Sequence, residues 1–124
     1  MKKTFWWGIG TIAVVATLVI ILSSSGSSKY EDFAQCITDS GTKMYGAYWC
    51  PHCQSQKKIF GPSWDNINYI ECATPGSNQQ TTACNTAGIK SYPTWIFGDD
   101  RQLSGELSLQ QLATFTGCQL PAEE

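Results

Sequence analysis

Eighteen consecutive residues from Phe5 to Leu22, FWWGIGTIAVVATLVIIL, carry no charge. At about 1.5 Å per helical residue such a run nearly crosses a hydrocarbon layer of roughly 30 Å. No polar face interrupts it, so it does not read as a buried helix of a globular core. Lys2 and Lys3 precede it, and positive flanks stay on the cytoplasmic side. Residues 1–22 are therefore expected to be a cytoplasmic start and a transmembrane signal anchor, crossing the cell membrane once. A cleavable signal peptide shares the charged start, but its apolar region is about 7 to 15 residues long. The small residues that follow, SSSGSS, could still accept a peptidase. Either reading places everything beyond Leu22 outside the cytoplasm, in a periplasm or at the cell exterior.

Residues 23–28 read as a Ser/Gly linker, and residues 29–124 as one domain. From Lys29 onward six basic residues face ten acidic ones, a net charge of −4. A nucleic-acid partner is not expected, because phosphate binding draws on clustered positive charge. All six cysteines lie in this part. In an oxidising compartment an even count in so short a domain implies disulfides.

The elements alternate. Ser28 and Glu31 have capping-box spacing, and Phe33, Cys36 and Ile37 then fall on one helical face until Gly41. Met44 to Tyr48 reads as a strand delivering Trp49 and Cys50 to a turn, and Pro51 suits the first position of a helix that stops before Gly61 and Pro62. Tyr69 to Cys72 is a second strand, ATPGSNQQ a polar loop, and Thr81 to Ala87 a short helix closed by Gly88. TWIF and the GDD turn predict a hairpin returning through Arg101 to Leu103. Ser108 and Gln111 open a last helix that packs Leu109, Leu112, Ala113 and Phe115 inward. The order predicts a small α/β sheet with helices on its faces.

The chemistry centres on YWCPHCQ, Tyr48 to Gln54. A c-type haem site needs histidine directly after the second cysteine, and Gln54 stands there. Zinc needs four ligands, and Cys72 and Cys84, with eleven residues between them, make no second tight knuckle beside Cys50 and Cys53. A redox couple uses every residue of the stretch. A strand-to-helix turn sets Cys50 at a helix N-terminus, where unpaired N–H groups and the dipole favour a thiolate. Pro51 has no N–H to waste there, and a protonated or donating His52 would favour that thiolate further. Cys53, one turn on, can reach the Cys50 sulfur. Trp49 shields and packs around the couple, and Lys57 and Lys58 read as a solvated helix face. Pairing of Cys36, Cys72, Cys84 and Cys118 has three possibilities.

WCPHC after a strand and GIKSYPTW some forty residues later resemble the thioredoxin superfamily over nearly all of residues 29–118. FAQCITDSGTKMYGAYWCPHCQSQKKIFG, SYPTW and SLQQLATFTGC are similar to the thioredoxin-like domain associated with bacterial homologues of vitamin K epoxide reductase. The resemblance implies a thioredoxin-like fold, a central mixed sheet flanked by helices, preceded here by one transmembrane helix. It implies that Cys50 is the exposed, attacked cysteine and Cys53 the resolving one, with Pro51 and His52 tuning the couple. Pro93 would be cis, and Trp49, Tyr92 and Pro93 would face an extended substrate. It favours disulfides Cys36–Cys118 and Cys72–Cys84, with no metal.

Two departures stand out. Met44 occupies the position six residues ahead of the first cysteine, where many thioredoxins carry a buried acid, so Cys53 has no obvious proton acceptor in the sequence. The quinone-reducing helical domain of fused relatives is not expected in a chain with one apolar span, so that chemistry would belong to a separate membrane partner. The expected function is a membrane-anchored extracytoplasmic thiol:disulfide oxidoreductase without a bound cofactor. It would mainly oxidise the thiols of exported proteins and be reoxidised by a quinone-linked, vitamin K epoxide reductase-like membrane protein. The rivals are an anchored reductase of the cytochrome-maturation type and a disulfide-stapled binding module without turnover.

Overall fold

A computed structural model describes residues 27–123; the expected anchor over 1–22 and linker residues 23–26 lie outside the described residues. Among the described residues no helix is long and apolar enough to cross a membrane.

The strand β1 (Lys43–Gly46) is covered on both faces, which is why it reads as an apolar run rather than an alternation. It pairs in parallel with β2 (Tyr69–Glu71), bringing Met44 opposite Tyr69 and Gly46 opposite Glu71. On its other side it runs antiparallel to β3 (Thr94–Ile96), which pairs antiparallel with β4 (Gln102–Ser104). The sheet order is β2-β1-β3-β4. This mixed four-stranded sheet with helices is compatible with a thioredoxin-like α/β fold.

The pleat divides the core. Met44 joins a large cluster with Phe33, Ile37, Phe60, Trp95 and Leu112, while Tyr45 turns to a smaller one with Cys72, Cys84 and Ile89. The large cluster is built by α1 (Glu31–Asp39), α2 (Pro51–Phe60) and α4 (Leu109–Thr116); α3 (Thr82–Thr86) brings Cys84 to the smaller.

Helix ends follow local chemistry where nothing competes. Ser108 Oγ accepts from Gln111 N–H at 3.1 Å, Ser108 N–H donates to Gln111 Oε1 at 2.9 Å, and Gly117 closes α4 at φ 74°. At α1 only half of the expected capping box forms. Ser28 N–H donates to Glu31 Oε2 at 3.1 Å, but Tyr30 is the N-cap and the Ser28 hydroxyl bonds the Ser63 hydroxyl instead. After Phe60 the chain does not become a loop: Gly61–Asn66 forms a 3-10 helix that sets Trp64 against Phe60 and Tyr69 at ring distances of 5.8 and 5.7 Å.

Cys36 and Cys118 are bonded at 2.09 Å, tying α1 to the residues after α4; Cys72 and Cys84 are bonded at 1.99 Å, tying the end of β2 to α3.

Gln56, 1% exposed on α2, is a polar residue in the apolar layer. Its Nε2 donates to Leu107 O at 2.9 Å, and its Oε1 accepts from Leu107 N–H at 2.7 Å and the Trp95 indole N–H at 3.3 Å. One side chain thus fastens α2 to β3 and to the segment before α4. Because Gln56→Ala strands two backbone groups and an indole in the core, it is expected to cost about 3 kcal/mol in urea unfolding. A loss under about 1 kcal/mol would mean that water replaces all three bonds.

Candidate active site

β1 ends at Gly46, and the turn through Ala47, Tyr48 and Trp49 delivers Cys50 as N-cap of α2, at φ −78° and ψ 120°, with Pro51 in the first turn. Cys50 N–H donates to Ala47 O at 3.0 Å, and Gln54 Nε2 holds the turn from the other side by donating to Tyr48 O at 3.1 Å. Cys50 and Cys53 are the free cysteines among the described residues.

Cys50 is 5% exposed and Cys53 1%. The resemblance implied an exposed first cysteine; Cys50 is instead buried, because the chain before Pro93 packs against the helix start. Cys50 Sγ faces the Tyr92 carbonyl at 3.8 Å, directly before the cis Tyr92–Pro93 peptide. Trp49, 58% exposed, sets its indole edge-on to the Tyr92 ring with centroids 6.0 Å apart. Tyr92 in turn donates its hydroxyl to Gln80 Oε1 at 2.6 Å. Trp49, Tyr92, Gln80 and Ala73 border a cavity of about 270 Å³ beside the couple. A larger one, about 520 Å³, lies at the opposite end of β1 around Lys43 and Gly98, away from any cysteine thiol.

His52 points outward and its Nδ1 lies 2.7 Å from Glu106 Oε1. The carboxylate offsets part of the positive charge an imidazolium would lend to Cys50. Glu106 was not legible beforehand, since it stands 54 residues away in the chain. Lys57 is also placed differently from a solvated face: its ammonium sits 4.6 Å over the Tyr69 ring and 5.5 Å over Trp64.

Cys53 is seated against β1. A Cβ at Gly46 would lie 2.8 Å from Cys53 Sγ and 3.0 Å from the Tyr69 ring, so only glycine fits between them. Burial pushes the Cys53 thiol up to about 12, helped by its hydrogen bond with Cys50 and by the Cys50 and Glu71 charges, against a lowering backbone bond from Ala47. Glu71, at the end of β2, was not singled out by the sequence. Its Oε1 accepts from Tyr48 N–H at 3.2 Å and Ala73 N–H at 2.9 Å, and its Oε2 accepts from the Tyr69 hydroxyl at 2.9 Å. Burial, then the Glu71 carboxylate, hold the Tyr69 hydroxyl well above its usual range.

The geometry therefore sets one buried sulfur at the helix start, 3.8 Å from the Tyr92 carbonyl, and a second, more deeply buried neutral thiol one turn further on. With Cys72 and Cys84 bonded to each other, the zinc alternative has lost half its ligands.

No family model matches the chain. It is 43% identical over 103 residues to thiol-disulfide oxidoreductase LTO1 of Arabidopsis thaliana, an alignment taking in 80% of this chain and 27% of that protein. The chain thus spans little more than a quarter of that relative's length. The likeness supports a thiol oxidoreductase family.

A raised Cys53 favours the folded state fully below the ordinary thiol value of 9.0, and that contribution is lost as pH climbs from 9.0 to about 12. Chemical denaturation of reduced and oxidised protein is expected to show the reduced form losing stability over that window relative to the oxidised form, in which Cys53 has no proton to lose. Parallel pH profiles for the two forms would contradict the buried neutral thiol.

Proposed function

We propose that this relative of a thiol-disulfide oxidoreductase is itself a thiol:disulfide oxidoreductase, which mainly oxidises exported proteins through Cys50 and Cys53. The observation that carries the reading is the pairing of an N-cap sulfur facing the Tyr92 carbonyl with a second free cysteine sulfur one helical turn away, in a domain whose other four cysteines are bonded. The apolar run Phe5–Leu22 would hold the domain at the outer face of the membrane, and a quinone-linked membrane protein resembling vitamin K epoxide reductase would reoxidise it.

The reaction runs in two exchanges. A substrate thiolate attacks Cys50 Sγ of the oxidised couple; the Cys50–Cys53 bond breaks, and Cys53 leaves with the electron pair and gains a proton in its buried seat. A second substrate thiolate then attacks the substrate sulfur of the mixed disulfide and displaces Cys50. The substrate has lost two electrons and the couple has gained them. The exposed Trp49 and the Tyr92 carbonyl flank the path an extended substrate would take. The oxidising direction is argued from the place of Cys50 at a helix start: positions of that kind favour a thiolate, and stabilising a reduced couple raises its potential.

Redox titration with thiol alkylation is expected to give a potential well above the roughly −270 mV of a cytosolic thioredoxin. A value at or below that figure would reverse the direction. Cys50→Ser should abolish oxidation of a reduced model protein, while Cys53→Ala should accumulate mixed disulfides through Cys50. Full activity in Cys50→Ser would reduce the chain to a binding module.

A further inference from the structure

Closing the couple again requires the Cys53 thiol to give up its proton, and no acid stands beneath it on β1, where Met44 is buried in the apolar cluster. The neighbouring strand supplies one. Gly46 and Glu71 are register partners, and Tyr69 and Glu71, two residues apart on β2, point to one face of the sheet. That face is the one holding Cys53, because a Cβ at Gly46 would touch both Cys53 Sγ, at 2.8 Å, and the Tyr69 side chain, with its hydroxyl at 3.4 Å. The Tyr69 hydroxyl already donates to Glu71 Oε2 at 2.9 Å. Two backbone N–H bonds on Oε1, from Tyr48 and Ala73, fix the carboxylate in place.

We propose that Tyr69 and Glu71 form the proton acceptor of Cys53, the hydroxyl passing the thiol proton on to the carboxylate as the couple closes. The proposal rests on the reading of Cys50 and Cys53 as a couple that turns over. In the step it serves, Cys50 is joined to an oxidant sulfur. Cys53 sulfur bonds to Cys50 sulfur, the bond from Cys50 to the oxidant breaks, and the oxidant sulfur leaves as a thiolate with the electron pair. The Cys53 proton goes to the Tyr69 oxygen while the Tyr69 proton goes to Glu71. In the opposite half-reaction the same pair returns a proton to Cys53 as it is released.

The groups that bear on Cys53 come from three elements: Cys50 on α2, Tyr69 and Glu71 on β2, and Tyr92 before β3. The Lys57 ammonium lies over the Tyr69 ring, 4.6 Å from its centroid. A carboxylate that merely repelled charge would hold Cys53 protonated, and its removal would ease ionisation. A carboxylate that takes the proton does the reverse, so the two roles predict rate changes of opposite sign.

The test uses the reduced full chain in detergent, mixed with excess 5,5′-dithiobis(2-nitrobenzoate) and followed by stopped flow. Cys50 releases the first thionitrobenzoate, and Cys53 releases the second when it displaces the mixed disulfide. In Glu71→Gln and in Tyr69→Phe the first phase is expected to stay within about twofold of wild type. The second should slow about tenfold or more near neutral pH and rise more steeply with pH, as hydroxide takes over the proton. Tyr69→Phe keeps the ring and leaves the Glu71 bonds to Tyr48 and Ala73 intact, so it separates proton transfer from loss of structure. A second phase as fast as or faster than wild type in either variant overturns the proposal. If wild type shows no release that Cys50→Ser abolishes, the oxidoreductase reading itself falls, and the relay with it.

Discussion

The Cys53 sulfur packs so close to Gly46 that a β-carbon there would lie only 2.8 Å from it, and the rest of the site is arranged around that contact. It sets how closely α2 can lie on β1, and so how far the helix start carrying Cys50 stands from the Tyr92 backbone. Burial follows from the same contact: with sheet on one side and helix on the other, the sulfur has no water to stabilise a charge. The two cysteines of one short motif therefore differ in kind. One sits at the start of a helix facing the Tyr92 carbonyl and the other is sealed deeper against β1, which is the asymmetry an ordered exchange needs.

What surrounds the couple is held by bonds that do not open during the reaction. Cys72–Cys84 anchors the end of β2, and the Gln80–Tyr92 hydrogen bond ties the polar loop to the segment facing Cys50. On the far side Gln56 joins α2 to Trp95 and Leu107, and Cys36–Cys118 closes 82 residues of chain. By loop entropy the long link is worth about 4 to 5 kcal/mol and the short one about 3, large terms for a domain of this size. Rigid flanks keep the geometry of the couple constant while its own bond is made and broken.

Features that rest on neighbours in the chain were legible in the sequence. Pro51 after Cys50 gave the start of α2, and Ser108 with Gln111 gave the start of α4, because each signal and its partner lie within one turn. Ser28 and Glu31 carry the same spacing, yet Ser63, 35 residues on, takes the serine hydroxyl. Gln56, Glu71 and Glu106 look like ordinary surface residues in the sequence. Their partners depend on sheet register and on which loop closes over the motif, and no local pattern encodes either. Lys57 failed for a related reason: its aliphatic stem and charge cover the ring of Tyr69, an edge-strand residue that helix periodicity cannot see.

The register also explains why an acid is better placed on β2 than on β1. At position 44 a carboxylate would lie in the layer of Phe33, Phe60 and Trp95, where a charge finds little to offset its desolvation. Glu71 stands at the C-terminal end of the outermost strand, half-buried, with three donors on its two oxygens. Those bonds hold the carboxylate in place without sealing it from solvent. The apolar layer stays intact, and the carboxylate sits one strand away from the sulfur, bonded to the hydroxyl of Tyr69, whose side chain borders the same Gly46. Moving the acid to the edge thus separates two demands that a buried carboxylate on β1 would have to meet at once: a well-packed core and an exchangeable proton.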